Sequence, residues 1–259
     1  MSPSTKPSAA TPRWPIPPRT LLRPPVVVEL VLGLSPLLGV LWWRWDMYLM
    51  VMLHLLALAV SGAWLVLRTL VLSSRALCYF NPPSRSEQQG PFPAARLMLT
   101  GFTTVVLAVP LVLLAGMVTE TLGGSWRAAT HGIGDFWRVV VIDAGLWLPL
   151  ALVCAWEAAS FAADVVLPAL PLTRRFSVPT RPIAAAYRAL SPELQAFLYA
   201  RAFVVLRMIV TVLALGVGIF VGPLIGIVGL GVLLVVLKTA VAVFLEAGAV
   251  IDADAAARR

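Results

Sequence analysis

Charged residues are scarce in this sequence of 259 residues. Aspartate, glutamate, lysine and arginine make up 12% of the chain, whereas hydrophobic residues make up 60%. Soluble domains are nearer one quarter charged, and a soluble chain this apolar would lack the polar groups to cover its surface. A surface in contact with lipid has no such requirement. The composition therefore predicts an integral membrane protein.

Cysteine and histidine are also sparse. The two cysteines, Cys78 near a predicted helix end and Cys154 inside an apolar run, are not expected to form a structural disulfide. His54 and His131 alone cannot build a familiar multi-histidine metal site. The sequence contains no phosphate-binding glycine loop, paired-cysteine zinc spacing or HExxH motif. We therefore expect no metal, no cofactor and no catalytic site of these classes.

The net charge of +8 comes almost entirely from arginine, since Lys6 and Lys238 are the only lysines. The basic residues are scattered in short segments between long apolar runs. This pattern is typical of loops at a membrane surface and does not predict nucleic-acid binding. Arginine in place of lysine, with abundant alanine, valine and leucine, is associated with high-GC bacteria. We expect a bacterial plasma membrane protein whose first partner is the lipid bilayer.

Six apolar stretches are long enough to cross about 30 Å of hydrocarbon as helices. They cover approximately residues 26–43, 47–72, 97–118, 139–167, 194–220 and 224–250. Gly222-Pro223 interrupts an apolar run that is too long for one span and predicts a tight hairpin. Residues 1–25 contain eight prolines and four basic residues and predict a disordered cytoplasmic tail. Residues 251–259 form the second predicted tail.

The lysine and arginine content of the connections predicts the orientation of the chain. The N-terminal segment and the second and fourth connections are basic, whereas the first, third and fifth connections are poor in basic residues. This alternation predicts an all-α, polytopic helical bundle of six transmembrane helices, with both termini in the cytoplasm. Tryptophan rings favour the headgroup level, and we expect aromatic belts at Trp42, Trp43 and Trp45 and at Trp126 and Trp137.

Ionisable residues at membrane depth are the candidate functional residues, because each is costly in hydrocarbon without a partner. Asp143, Glu157 and Asp164 are spaced by 14 and 7 residues, which predicts one shared face of the fourth helix. The rise per residue places Glu157, Arg207 and Lys238 between the midplane and the inner leaflet. We therefore expect Glu157 to form a buried cluster with Arg207 or Lys238.

Two interpretations of this cluster compete. In the functional interpretation it is a proton or ion relay or a polar substrate site. In the structural interpretation it is an ion pair that fixes helix register, with Lys238 extending towards the inner surface. The structural interpretation is favoured because arginine does not readily release a proton. His54 and Asp143, both towards the outer side, form a secondary candidate pair that would respond to pH. A lone membrane histidine is more often a satisfied contact between helices.

The predicted opening hairpin contains the sequences LSPLLGVL at 34–41, Trp45-Asp46 and GAWLVLR at 62–68. These residues resemble the opening hairpin of a prokaryotic membrane family, domain-of-unknown-function 6498. The sequences RAFVVL at 201–206 and LLVVLKT at 233–239 are similar to the last two helices of that family.

This resemblance implies a divergent member of a multi-pass bacterial membrane family, and it supplies no activity. Members of the family carry a Tyr-Trp and a Glu-Asn pair in the second helix. The matching positions in this chain are His54-Leu55 and Ala57-Leu58. Any site built on those polar residues is therefore absent or altered.

Three functions remain open. A non-catalytic membrane component would bind lipid or an unidentified membrane or cytoplasmic protein through its basic loops and proline-rich tail. A small-solute or ion transporter would use the intramembrane charges of the fourth to sixth helices. An intramembrane enzyme ranks last, because the sequence contains no recognisable catalytic dyad.

Overall fold

The structure, a computed structural model, describes residues 22, 24–71, 94–129, 132–166 and 192–257. Within these ranges every regular element is a helix and there is no strand. Most of the expected N-terminal tail, together with Cys78 and His131, lies outside the described residues.

Eight helices follow one another along the described chain. They are α1 (Pro24–Trp42), α2 (Met47–Val71), α3 (Ala94–Leu122), α4 (Gly124–Ala129), α5 (Ile133–Phe136), α6 (Trp147–Phe161), and α7 and α8, which precede and follow Gly226 within Pro192–Ala257. Two of them continue as π-helices, α5 through Trp137–Asp143 and α6 through Ala162–Val166. The last helix extends to Ala257 and thus into the predicted C-terminal tail.

Four helical stretches are long and apolar enough to cross a membrane. They are Met47–Val71, Leu97–Leu122, Phe197–Gly216 and Gly226–Leu245. A fifth is counted if Ile133–Asp143 and Trp147–Phe161 form one bent span, and the apolar part of α1, Val26–Trp42, is shorter than these. For the described residues, the prediction of an all-helical fold with several helices long and apolar enough to span a membrane is confirmed. The count of six and the orientation stay predictions.

The core of the described chain is built around α2. Its first two turns are buried almost without interruption, from Tyr48 to Leu55. They pack against Val140 and Val141 from the π-helix after α5, and against Leu230 and Leu234 from α8. Because α2 contacts helices on all sides, α1, α3, α6, α7 and α8 are arranged around it.

The predicted fourth span, 139–167, is not one helix. The segment Ile133–Asp143 and α6 meet at an angle of 93°. Gly145 has φ +79° at this bend, a left-handed conformation that costs other residues about 1–2 kcal/mol. The Trp45 indole Nε1 donates to the Ala144 carbonyl oxygen over 2.8 Å and fixes the bend against the start of α2. The prediction that Asp143 shares a continuous helix face with Glu157 and Asp164 is therefore wrong.

The same contact corrects the predicted role of Trp45. Trp42 is 81% exposed, as expected for a ring at the headgroup level, whereas Trp45 is only 4% exposed. Trp45 belongs to the core cluster and not to an aromatic belt. A buried indole needs a partner for its N–H, and Ala144 supplies it.

The interruption between the last two spans lies at Gly226, and not at Gly222-Pro223 as predicted. Gly226 has φ 64° and ψ −178°, whereas the helix runs through residues 222 and 223. This backbone region is essentially restricted to glycine. On either side of the interruption, Leu215 of α7 and Leu230 of α8 join the same core cluster.

We predict that Gly226→Ala destabilises the protein by about 1–3 kcal/mol, because alanine is strained at this φ and ψ. The matched control is Gly101→Ala in α3, where an added Cβ would meet nothing within 4 Å and the backbone is helical. Thermal unfolding in detergent micelles measures both variants. A Gly226→Ala protein as stable as Gly101→Ala would contradict the assigned backbone conformation.

Candidate functional site

A buried charge cluster connects four helices near the middle of the bundle. It consists of Glu29 from α1, Ser61 from α2, Glu157 from α6 and Arg207 from α7. Glu29 is 2% exposed and Arg207 is 6% exposed. We call these four residues the Arg207 cluster.

Arg207 binds Glu29 through two groups of its guanidinium. Nη2 forms an ion pair with Glu29 Oε1, and Nε donates to Glu29 Oε2 over 3.2 Å. The planar fork of arginine matches the two oxygens of a carboxylate, which makes such pairs stronger and more specific than single contacts. This contact joins α1 to α7 across 178 residues of chain.

The remaining terminal nitrogen of Arg207 faces α2 and α6. Nη1 donates to Ser61 Oγ over 3.1 Å and lies 3.6 Å from Glu157 Oε1. Ser61 Oγ in turn donates to the same Glu157 oxygen over 2.7 Å. Because Ser61 accepts from Arg207, its single hydroxyl hydrogen is directed at Glu157.

An aromatic ring covers one face of the guanidinium. Arg207 Cζ lies 4.6 Å from the centroid of the Phe203 ring, one turn earlier in α7. This is a cation–π geometry, which is favourable where water is excluded. Arg207 therefore has a carboxylate, a hydroxyl, a second carboxylate and a ring as neighbours, and its charge is fully accommodated.

A small cavity adjoins the Glu29 side of the Arg207 cluster. It has a volume of about 30 Å³, and its lining includes Glu29, His54, Arg207 and Lys238. A cavity of this size holds about two water molecules. Among the residues that the structure describes, Lys238 forms no ion pair with a carboxylate.

Two side chains that line this cavity, Ser35 in α1 and His54 in α2, form hydrogen bonds with backbone carbonyl oxygens of their own helices. Pro36 in α1 has no N–H to donate to the Leu32 carbonyl oxygen, and the Ser35 hydroxyl donates to that oxygen instead over 2.8 Å. His54 Nδ1 lies 2.8 Å from the Met50 carbonyl oxygen. A carbonyl only accepts hydrogen bonds, so Nδ1 carries the hydrogen and Nε2 of the neutral ring is an acceptor.

A second cavity of about 30 Å³ adjoins the Glu157 side of the cluster. Ser61, Arg68 and Glu157 line it, with Trp156, Tyr199 and Phe203 as its aromatic walls. The Arg68 guanidinium lies 5.9 Å from the centroid of the Phe161 ring. The two cavities flank the cluster, and each has room only for water-sized occupants.

The structure brings some of the predicted site residues together and separates others. Arg207 and Glu157 meet, and Lys238 lies beside Arg207 at the first cavity without forming an ion pair with Glu157. His54 and Asp143 do not bond to each other, since His54 is buried against Met50 and Asp143 is exposed beside the bend. The side chain of Asp164 lies outside the described part of the chain.

Sequence reasoning missed Glu29 and Ser61. Glu29 falls three residues inside the predicted first span, and the cost of a carboxylate in hydrocarbon that selected Glu157 applies equally to it. Ser61 carries no comparable signal, because serine is common within transmembrane helices.

A bundle of long apolar helices with a buried ion cluster defines the class as an all-helical membrane protein. The chain belongs to the family of unknown function DUF6498, whose family model matches residues 15–180. That range includes Glu29, Ser61 and Glu157, whereas Arg207 and the similarities at 201–206 and 233–239 lie beyond it. No curated protein and no solved structure matches the chain.

We predict that Arg207→Met lowers the free energy of unfolding by about 3–5 kcal/mol, because it leaves the buried Glu29 carboxylate without its cation. The control is Arg127→Met, which removes a 2.8 Å pair with Glu120 whose side chains are 61% and 60% exposed. Exposed pairs contribute only about 0–1 kcal/mol. Unfolding in detergent compares the two variants, and equal losses would show that the buried cluster is not special.

Proposed function

We propose that this chain is a non-catalytic, multi-pass component of the prokaryotic plasma membrane that binds lipid or a partner protein. In this proposal the Arg207 cluster holds the helices in register and leaves the outer surfaces of the bundle for binding. The observation that carries it is that all three guanidinium nitrogens of Arg207 contact groups from three other helices.

The hydrogen-bond directions within the cluster support a structural role over a relay. Arginine donates only and does not release its proton. Ser61 therefore cannot pass a proton back towards Arg207, and its hydrogen stays directed at Glu157. A proton chain through the cluster would be interrupted at the guanidinium. The flanking cavities, at about 30 Å³ each, are also too small for a solute larger than water.

A second candidate function is small-solute or ion transport. It is favoured by Lys238, which lines the first cavity beside Arg207 and forms no ion pair within the described residues. An ionisable group at membrane depth marks many transport pathways. Transport would require the two cavities to connect in another conformation of the bundle, by separation of Arg207 from its partners.

We also propose six membrane crossings. The 19 residues of α1 rise about 28 Å, and the 15 residues of α6 with the 5 of its continuation rise about 30 Å. Both lengths suit a bilayer core of about 30 Å. Added to the four long spans, they give an even number and place both termini on one side, which the basic connections assign to the cytoplasm.

Reporter fusions test this topology. We expect green fluorescent protein to fluoresce when fused after Arg85, Thr180 or Arg259, and alkaline phosphatase to be active after Asp46 or His131. Green fluorescent protein becomes fluorescent in the cytoplasm, and alkaline phosphatase becomes active outside it. The active reporter therefore identifies the side of the membrane on which each fusion point lies. Active phosphatase after Arg85 or Thr180 would contradict six crossings with cytoplasmic ends.

A flux measurement separates the structural role from transport. We expect Glu157→Gln to lower stability by about 1 kcal/mol, because a neutral amide oxygen is a weaker acceptor for Ser61. We also expect no proton flux above that of protein-free liposomes, for the wild type and the variant alike, as read by an entrapped pH dye.

The matched control for this experiment is Glu120→Gln, which neutralises an exposed carboxylate outside the cluster. A wild-type proton flux that Glu157→Gln abolishes and Glu120→Gln preserves, with unchanged melting temperatures, would overturn the structural proposal in favour of transport.

A further inference from the structure

The segment Ile133–Asp143 has a defined direction relative to the bundle. Two contacts show that α6 runs beside α2 in the same sense. Trp45, just before α2, bonds to Ala144, just before α6, and further along Ser61 bonds to Glu157. Because the segment meets α6 at 93°, it crosses the end of the bundle at the level where α2 begins.

The inner side of this segment is anchored to the bundle. Val140 and Val141 are buried and belong to the same core cluster as Tyr48. At the same end, Asp46 accepts from the Leu49 backbone N–H at the start of α2 and from Trp126 Nε1 in α4, over 3.0 and 2.6 Å. The segment is therefore held across the end of the bundle.

The outer side of the segment is suited neither to hydrocarbon nor to bulk water. Asp135, Arg138 and Asp143 are exposed, and three ionisable groups in so short a stretch are costly at membrane depth. Ile133 is 89% exposed, and Trp137 and Ile142 are each about half exposed. Such a mixture of aromatic, aliphatic and charged groups is typical of helices at the headgroup level.

The length of α6 removes the need for this segment to cross the membrane. With its π-helical continuation, α6 reaches about 30 Å, the thickness of the hydrocarbon core. The bent pair is therefore better described as one span and one segment in the membrane plane than as a broken span or a re-entrant loop.

We propose that residues 133–143 form an interfacial helix that binds the headgroup–acyl boundary of the phospholipid leaflet at the Asp46 end of the bundle. Ile133, Trp137 and Ile142 enter the boundary, and Asp135, Arg138 and Asp143 reach the aqueous side. Two carboxylates against one guanidinium give the segment no excess positive charge. The binding is therefore independent of anionic lipid, which attracts basic segments.

Spin labels at single cysteines test this placement in the full chain, after Cys78 and Cys154 are replaced by serine. One label stands at Ile133, which is exposed enough to accept it, one at Trp137 and one at Asp135. A reference label replaces Val109, an exposed residue near the middle of α3. Collisions with oxygen and a water-soluble nickel chelate report depth in phosphatidylcholine vesicles, and in vesicles with an equal share of phosphatidylglycerol.

We expect the labels at 133 and 137 to lie about 5–10 Å into the headgroup–acyl boundary, the label at 135 in water and the label at 109 much deeper. The depths should be the same in both lipid mixtures. Circular dichroism and monodisperse elution in size-exclusion chromatography check that each labelled protein is folded. The label at Ile133→Cys is the decisive one, because that variant retains Trp137, which is itself proposed to enter the boundary. Three results for the labels at 133 and 137 would each overturn the proposal. They are a depth equal to that of the label at 109, contact with water like that of the label at 135, and shielding from both collision agents by protein.

Discussion

The guanidinium of Arg207 is the constraint on which the arrangement of the helices depends. A permanently charged group buried in a membrane bundle must be surrounded by partners, and it finds Glu29 on α1, Ser61 on α2 and Glu157 on α6. These contacts bring the first helix against the last hairpin, although Glu29 and Arg207 are 178 residues apart. Helix packing between apolar surfaces is weakly directional, whereas a bidentate arginine–carboxylate pair has one geometry. The cluster therefore specifies which helices meet and at what register.

The same constraint decides what the centre of the bundle can do. Arg207 fixes the hydroxyl direction of Ser61, and Ser61 and Arg207 together occupy one oxygen of Glu157. The space that remains on each side is about 30 Å³, enough for water and for little else. Lys238 and His54 border one of these spaces. In our proposal the outer surfaces are left for lipid and partner proteins, and the segment 133–143 across the Asp46 end is the proposed binding surface with the most defined placement.

Much of this architecture could be predicted from the sequence, because apolar length and the rise per residue are local properties. They gave five helices at nearly their observed positions and the common depth of Glu157 and Arg207. The bend at Gly145 could not be predicted in this way, since the apolar run continues through it and the cause is a contact with the distant Trp45. Gly222 and Gly226 are both glycines that can interrupt a helix, and no local pattern in the sequence distinguishes Gly226, where the interruption lies. Glu29 was not among the predicted site residues, because its partner Arg207 lies 178 residues further along the chain and no local pattern indicates the pairing.

A double-mutant cycle between Glu29 and Arg207 tests the central claim most directly. The variants are Glu29→Leu, Arg207→Met and the combination, and the measurement is the free energy of unfolding in detergent. Removing Glu29 together with Arg207 takes away the buried carboxylate that Arg207→Met alone leaves without its cation. The account predicts that the double variant is more stable than Arg207→Met alone, with a coupling energy of about 1–3 kcal/mol. Additive losses would contradict it, because they would mean that the two residues contribute to the bundle independently.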